Sequence, residues 1–321
     1  MCIRDSTYTG ISNGDYHKKC IVRSNGVVEN FALGVDKATF IPLEGKDFMD
    51  PQYLSEEVDH SWFTYPDGTK TLHPIEGVTD PKFTGPKSGT KEKWEFLDED
   101  KKYSWIKSPT FKGKTAEVGP LAKYIVVYTK VKQGIIKDPT WAESMIVRQI
   151  DTVSQVLGVP AHVWMTTMVG RTACRGLDAQ VAANISQYFF NKLVSNIKNG
   201  DTTVADMTKF EPNTWDKDAK GVGLVDAPRG GLGHWIHIKD GRSANYQCIV
   251  PSTWNACPKT AANEHGAYED SMIDTHVKIA DKPLEILKVI HSFDPCLACA
   301  THLYNKKGEK IVSVNTDALC K

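Results

Sequence analysis

The sequence has no surplus of charge of either sign: its 321 residues carry 39 Lys and Arg against 39 Asp and Glu. A chain whose main partner is a polyanion normally shows an excess of Lys and Arg, so nucleic acid is excluded as the principal partner. No apolar run approaches the roughly 18 residues that a membrane-spanning helix needs, so no transmembrane segment is expected, and no charged-then-apolar leader opens the chain as it stands. Internal repeats and low-complexity tracts are absent. The eight cysteines (Cys2, Cys20, Cys174, Cys248, Cys257, Cys296, Cys299 and Cys320) contain one close pair, 296 and 299. A disulfide framework is therefore not the organising device, and a chain of this length does not need one. What is present is apolar material for a core, 40% hydrophobic residues with 8 Trp, which excludes disorder. With a mean hydropathy of −0.36, the expectation is a soluble globular chain of one large domain or two, at about 150 residues each.

Along the chain, Met1–Ser6 shows no cap, no periodicity and no relation to the residues after it, and residues 1–19 read as a truncated start with a cloning or sequencing scar at 1–6. Cys20-Ile21-Val22 and Val27-Val28 flank Asn25-Gly26, a dipeptide suited to a primed turn, so a hairpin is expected there. From Asp50 to Pro120, Pro, Gly and aromatic residues are dense, including Trp62, Tyr65-Pro66, Trp94, Tyr103 and Trp105. That composition forbids long helices and predicts short strands and ordered loops pinned by buried rings. Asp138-Pro139 then supplies an N-cap and a first-turn proline, and Ile146, Ile150, Val153 and Leu157 come at helical spacing before Gly158 and Pro160, predicting a helix over 139–157. A second helix, over 176–198, carries Leu177, Val181, Ile185, Phe189, Leu193 and Ile197 on one row, read as core packing. Gly221–Trp254 reads as a glycine-rich approach to a hairpin, with His234–Lys239 and Asn245–Val250 alternating about Asp240-Gly241. A short helix over 283–290 delivers the chain to Asp294.

Two constellations carry chemistry. In Asp294-Pro295-Cys296-Leu297-Ala298-Cys299-Ala300-Thr301-His302, two thiols three residues apart can converge on one ion, and a histidine three further on can complete that site or serve a neighbouring one. The same pair can instead be two small cysteines buried in a core loop. Haem attachment is excluded because Ala300, not His, comes after Cys299. The second constellation is Asp226-Ala227-Pro228-Arg229-Gly230-Gly231-Leu232-Gly233-His234, with Val250-Pro251-Ser252-Thr253-Trp254-Asn255 across the hairpin. An arginine among prolines and glycines is held stiffly and keeps its charge, which suits an anionic ligand, with Ser252 as a further donor. It can equally tie a loop to a carboxylate. His234 and His237 fall on opposite strand faces by parity and read as packed or exposed strand residues.

Together Pro228-Arg229-Gly230, Val250-Pro251-Ser252-Thr253-Trp254-Asn255 and Asp294-Pro295-Cys296-x-x-Cys299-x-x-His302 resemble the large (catalytic) subunit of nickel–iron hydrogenases of the respiratory uptake group. His60-Ser61-Trp62, Leu72-His73-Pro74, Tyr103-Ser104-Trp105, Glu117-Val118-Gly119-Pro120-Leu121, Gly170-Arg171-Thr172-Ala173 and Ile290-His291-Ser292-Phe293 extend the resemblance over roughly residues 20–318. The resemblance implies a nickel and an iron held by four thiolates, the iron also carrying cyanide and carbon monoxide. By position, Cys296 resembles the terminal nickel thiolate and Cys299 the thiolate bridging nickel and iron, and soft thiolates suit both ions. His302 resembles a magnesium ligand, with the Cys248 backbone carbonyl as another. Arg229 and Ser252 would hydrogen-bond the cyanides, Pro228 and Pro251 would wall the pocket, Leu232 would pack on the carbon monoxide, and Asp294 would orient Arg229. The implied reaction is heterolytic splitting of H2, with electrons leaving through an iron–sulfur small subunit, since this chain has too few cysteines for such a relay.

The family's other Cys-x-x-Cys pair and its proton-transfer glutamate are not matched here, so residues 20–302 read as the C-terminal portion of the domain, inactive by itself. Residues 303–321 extend past His302 as in unprocessed precursors of the family, which implies a maturation protease acting between His302 and Leu303 and dedicated nickel-insertion proteins; an ordinary frayed terminus is the alternative. Two other classes stand beside this one: a non-enzymatic hydrogenase-like subunit or H2 sensor, and a zinc-stapled structural protein. The expected fold is mainly α (α+β), a helical core with proline- and aromatic-rich β and loop additions and a β-hairpin near the metal site. The uptake group is exported folded on its partner's signal, so the resemblance implies the periplasm or the periplasmic face of the membrane, with the cytoplasm as the alternative.

Overall fold

The first third of the chain builds short strands because proline recurs too often for a ladder to lengthen. The computed structural model describes residues 12–13, 49–84, 100–111, 113, 115–132, 134, 136–165, 167–208, 210–279, 282–295, 300–304 and 310–315, with the backbone alone at 12–13, 300–304 and 310–315. Strands β1 (Ser12–Asn13), β2 (Leu54–Glu57), β3 (Phe63–Thr64), β4 (Thr71–Leu72), β5 (Asp80–Pro81), β6 (Ser108–Phe111) and β7 (Ala116–Glu117) pair in the orders β4-β2-β6, β3-β5 and β1-β7. The rings of Trp62 and Tyr65 are buried among them, and the Tyr65 hydroxyl donates to the Glu56 carbonyl at 3.0 Å. The hairpin expected at 20–28 and the start of the chain at 1–6 lie outside the described residues.

Four helices come next: α1 (Pro120–Lys132), α2 (Trp141–Leu157), α3 (Ala161–Met165) and α4 (Met168–Lys198). They close on one apolar cluster: Leu121, Tyr124 and Ile125 from α1, Met145, Ile146 and Ile150 from α2, Trp164 and Met165 from α3, and Cys174 and Val181 from α4. Each such aliphatic side chain contributes about 1.5–3 kcal/mol on leaving water. The structure corrects the expected start of α2. Thr140, not Asp138, is the N-cap: its hydroxyl accepts from the Glu143 amide, and the Glu143 carboxylate accepts from the Thr140 amide at 2.6 Å. This reciprocal pair satisfies two first-turn amides and leaves Pro139 outside the helix.

A second correction concerns the long row on α4, which starts at Met168 rather than 176. Val181 is buried and Leu177 and Ile185 pack at the cluster's edge, but Leu193 and Ile197 are 56% and 54% exposed, as Tyr188 and Phe190 are beside them. Helical periodicity records an apolar stripe; what covers it is set by tertiary neighbours, and the described residues leave Leu193 and Ile197 uncovered.

The chain then forms an antiparallel sheet of β8 (Asp218–Ala227), β9 (Gly230–Lys239) and β10 (Arg242–Ile249), in the order β10-β9-β8. The β9–β10 turn has Asp240 at φ 49° and Gly241 at φ 72°, the two positive values a primed turn requires. Strand β8 is not evident from the sequence pattern, because Gly221 and Gly223 hide its alternation; it makes a three-stranded sheet of what reads as a hairpin. Its face joins a second core with Leu54, Phe111, Val118, Trp235, Ile249 and Trp254. Helices α5 (Pro251–Asn255), α6 (Ala267–Met272) and α7 (Leu284–Ser292) succeed the sheet. Last, β11 (Ala300–Tyr304) and β12 (Lys310–Asn315) pair antiparallel with His302 opposite Ser313 and Leu303 opposite Val312. Among the described residues no helix is long and apolar enough to cross a membrane.

One backbone contact joins the sheet to the head of α1. Gly230 sits at φ 124°, and a Cβ there would lie 2.4 Å from the Gly119 nitrogen and 2.7 Å from the Val118 carbonyl carbon. Substitution Gly230→Ala is expected to lower the unfolding free energy by about 2–4 kcal/mol, since backbone on both sides must move. At Gly241, where the nearest foreign atom to an added Cβ is 3.7 Å away, alanine should cost only about 1 kcal/mol of left-handed strain. Urea unfolding of both variants checks this; equal losses would contradict the close contact.

Candidate functional site

Polar groups from four parts of the chain meet where β7 runs into α1. Glu117 closes β7, Arg171 projects from the first turns of α4, Ser292 closes α7, and Arg229 lies in the two-residue β8–β9 turn. Glu117 and Arg171 are 1% and 4% exposed and pair through both carboxylate oxygens, Arg171 Nε donating to Oε1 at 2.7 Å and Nη2 to Oε2 at 3.0 Å. The third nitrogen of Arg171, Nη1, donates to the Ser292 hydroxyl at 3.2 Å, and the guanidinium lies 3.9 Å from the centre of the Phe293 ring. A buried ion pair of this kind persists only when both ends are fully satisfied, and here a bidentate fork, a hydroxyl and a ring face supply that.

Arg229 is held at the exit of α7. Its Nε donates to the Asp294 carbonyl at 2.9 Å and lies 3.1 Å from Asp294 Oδ2, while Nη2 reaches Oδ1 at 3.4 Å. Among the described residues no acceptor engages Nη1 of Arg229, whose side chain is 38% exposed. Asp294 itself has φ 55°, a left-handed backbone that an Asp tolerates and that turns the chain sharply before Pro295. Arg175, one turn along α4 from Arg171, also reaches this exit, with Nη1 donating to the Pro228 carbonyl at 3.2 Å and to Asp294 Oδ2 at 3.4 Å. Beside them Lys123 Nζ bridges Asp178 at 2.6 Å and Asp226 at 2.9 Å, tying α1 to α4 and β8. Burial opposes the Lys123 charge, but the two carboxylates outweigh it and hold its pKa above the ordinary lysine value.

Of the residues singled out in the sequence, the structure brings Arg229 and Asp294 into contact and sets Pro228 beside them, its ring exposed and its carbonyl on Arg175. Leu232 is half-buried on β9, and Pro251 and Ser252 are buried at the start of α5. That helix is locked in place by Asn255, whose side-chain amide donates to the Val118 carbonyl and accepts from the Val118 amide, both at 2.9 Å. Cys248 lies on the edge strand β10 opposite His234, its thiol pushed up by burial. His302 belongs to the backbone ladder of β11. Cys296 and Cys299 lie outside the described residues, and among the described residues no group of three or more His, Cys, Asp or Glu is placed to hold a metal ion. His234 and His237 stand apart from the site, against the Tyr246 hydroxyl and, at 2.8 Å, the Asp218 carboxylate. The buried thiols of Cys174 and Cys257 are pushed up by desolvation and are inert packing groups.

Sequence reasoning gives no role to Glu117, Arg171, Arg175, Asn255 or Ser292. A signal is present in part: Arg171 and Arg175 are four residues apart on one helix face, and a helix that buries one arginine must find it a carboxylate. The partner, 54 residues upstream, leaves no local trace.

A family model described as nickel-dependent hydrogenase matches residues 7–302. The uptake hydrogenase large subunit of Rhizobium leguminosarum bv. viciae is 47% identical over 302 residues, covering 94% of this chain and 48% of that protein. The hydrogenase-1 large chain of Escherichia coli is 40% identical over 301 residues, covering 94% and 47% respectively. Among solved structures, a [NiFeSe]-hydrogenase of Desulfomicrobium baculatum shares the fold with a TM-score of 0.56 at 24% identity, covering 77% of this chain and 44% of that one. The polar cluster at the head of α1 is thus built on the scaffold of a hydrogenase large subunit. This chain belongs to the nickel-dependent hydrogenase family, and it spans about half the length of the curated relatives it matches.

Breaking the central ion pair from one side should be far worse than replacing it. Arg171→Met takes away the bidentate guanidinium partner of the buried Glu117 carboxylate, and is expected to cost about 3–5 kcal/mol. The double variant Glu117→Leu/Arg171→Met should cost clearly less than the two single losses added together. A double-mutant cycle read by chemical denaturation checks this, and additive losses would show that the pair is not coupled.

Proposed function

We propose that the chain is part of the catalytic subunit of a nickel–iron uptake hydrogenase, oxidising H2 to protons and electrons that pass to an iron–sulfur small subunit. The observation that carries this reading is the placement of Arg229: its guanidinium is clamped by Asp294, two residues before Cys296, with Nη1 left without an acceptor among the described residues. Chain geometry alone tethers Cys296 to Asp294 within about 7 Å from Cα to Cα. The donor set fits such a centre. Thiolates at 296 and 299 would suit nickel and iron, and the permanently charged N–H donor that Asp294 clamps would suit the anionic cyanides of the iron. When bound, the nickel–iron group would supply the redox-active site at which H2 is split into protons and electrons.

The chain's own residues would work around that group. Arg229 would hold a fixed positive charge and an N–H donor over it, stabilising charge that develops there without reorganising at the moment of reaction. Asp294 would keep the guanidinium from rotating away, and its left-handed backbone turns the chain just before Pro295. Ser252 would add a hydroxyl donor to the cyanides, Pro228 and Pro251 would exclude water, and Leu232 would pack on the carbon monoxide. His302 and the Cys248 carbonyl would serve a magnesium ion. Export with the partner to the periplasmic side, nickel insertion by dedicated proteins and removal of the tail by a maturation protease belong to the same proposal.

Two expectations test it. In the complete enzyme, Arg229→Lys keeps the charge but loses the planar fork, so turnover of H2 should fall about 10²–10³-fold, with nickel and iron per protein unchanged. Unaltered turnover would remove Arg229 from the reaction. Mass spectrometry of the native enzyme should find a C-terminus at His302. The bond to be cut lies within the β11–β12 ladder, so processing would also detach β12; an intact Lys321 in active enzyme would end the processing argument.

A further inference from the structure

Arg175 reaches three acceptors on two separate segments. Its Nη1 donates to the Pro228 carbonyl at 3.2 Å and to Asp294 Oδ2 at 3.4 Å, and its Nη2 donates to the Ser292 carbonyl at 3.4 Å. The acceptors come from the turn that carries Arg229 and from the exit of α7 that carries Asp294. Arg229 spans the same two segments from the other side, through the Asp294 carbonyl and carboxylate. The result is a closed ring, Arg175 to Pro228, along the chain to Arg229, across to Asp294, and back to Arg175. No single contact of Arg175 is short, yet the fork is planar and the side chain is only 25% exposed, so one rigid group restrains both ends at once. Its stem rises from the stretch of α4 that Arg171 fixes to Glu117, Ser292 and Phe293. The anchor is therefore itself anchored.

We propose that Arg175 is a positioning residue for Arg229: it pins the peptide that precedes Arg229 and the carboxylate that Arg229 grips, and so sets where the Arg229 guanidinium points. This rests on the reading of Arg229 as the group poised over the reaction centre. Without Arg175, Asp294 keeps one cationic partner, and the Pro228–Arg229 turn loses its tether to α4. A displacement of about 1 Å at a reacting group is enough to cost about 10²-fold in rate.

The test uses the complete enzyme with Arg175→Met, which keeps the bulk and removes every donor, and Arg175→Lys, whose single ammonium cannot meet three acceptors in one plane. Crystal structures, H2 oxidation kinetics, metal content and the infrared stretching bands of the iron-bound cyanides are compared with the parent enzyme. The expected result for Arg175→Met is an Arg229 guanidinium displaced by about 1 Å or more, with kcat down about 10–100-fold. KM for H2 and the nickel and iron content should be unchanged and the cyanide bands shifted, with Arg175→Lys falling in between. An Arg229–Asp294 contact kept at parent distances, or parent turnover despite a displaced guanidinium, overturns the proposal. So does a loss of rate that only tracks lost metal. If Arg175→Met does not assemble, the same readings on Arg175→Lys decide. A parent enzyme that carries nickel and iron yet does not oxidise H2 would instead sink the functional reading, while the crystallographic comparison still judges the positioning.

Discussion

The Glu117–Arg171 pair is the interaction on which the site's geometry depends. Taking a carboxylate and a guanidinium out of water is costly, and an apolar pair could fill the same volume at similar stability. Apolar packing, however, tolerates small rotations and slides, whereas a bidentate fork does not. By joining the end of β7 to α4, and reaching Ser292 and Phe293 at the end of α7 with the remaining nitrogen and the guanidinium face, this pair fixes three segments in one register. Asp294 and Gly119, which touch Arg229, each lie within two residues of one of those segments.

That register is then passed on through backbone rather than side chains. Directly after Glu117, Val118 is gripped at both its N–H and its C=O by the Asn255 amide, which docks α5 and with it Pro251 and Ser252. The next residue, Gly119, lies against the Arg229 carbonyl, with Gly230 pressed onto it from the sheet. Three consecutive residues, 117 to 119, thus carry α4, α5 and the β8–β9 turn respectively. The helical core and the strand core each bury their own apolar residues, and the site occupies the seam between them. Polar pairing with defined directions is what a seam needs, because neither core specifies how it meets the other.

How much of this can be read from the sequence divides along the range of the interactions. The β9–β10 turn is legible because Asp240-Gly241 states its own backbone conformation, and the body of α2 because its apolar spacing is local. Arg229 and Asp294 are legible as a contacting pair only through a resemblance over many motifs, since 65 residues separate them. Strand β8 is hidden by Gly221 and Gly223, which erase alternation without preventing pairing to β9. The row ending at Leu193 and Ile197 misleads for a different reason: it is a genuine apolar stripe, and nothing in a stripe says whether its cover is present. Arg175 and Glu117 carry no legible role, because a charged residue on a helix or at a strand end is most often a solvated one, and only the distant partner distinguishes the two.

The least ordinary backbone in the site belongs to Asp294, and its position explains why that residue is an aspartate. Helix α7 ends at Ser292, and the chain leaves it through a left-handed residue, Asp294 at φ 55°. Glycine would satisfy the backbone at less strain but would offer nothing to two guanidiniums. Asparagine tolerates the conformation equally but would present a neutral oxygen to two cations. Aspartate supplies the turn, a carbonyl that accepts from Arg229 Nε and a charge shared between Arg175 and Arg229. The strain, of order 1–3 kcal/mol, is offset by those contacts. Because they form only when the turn at 228–229 and the end of α7 are both in place, the left-handed residue and the Arg229 guanidinium stabilise each other. The path by which the chain leaves α7 at Asp294 is therefore set jointly by the helix that precedes it and by the sheet turn that faces it.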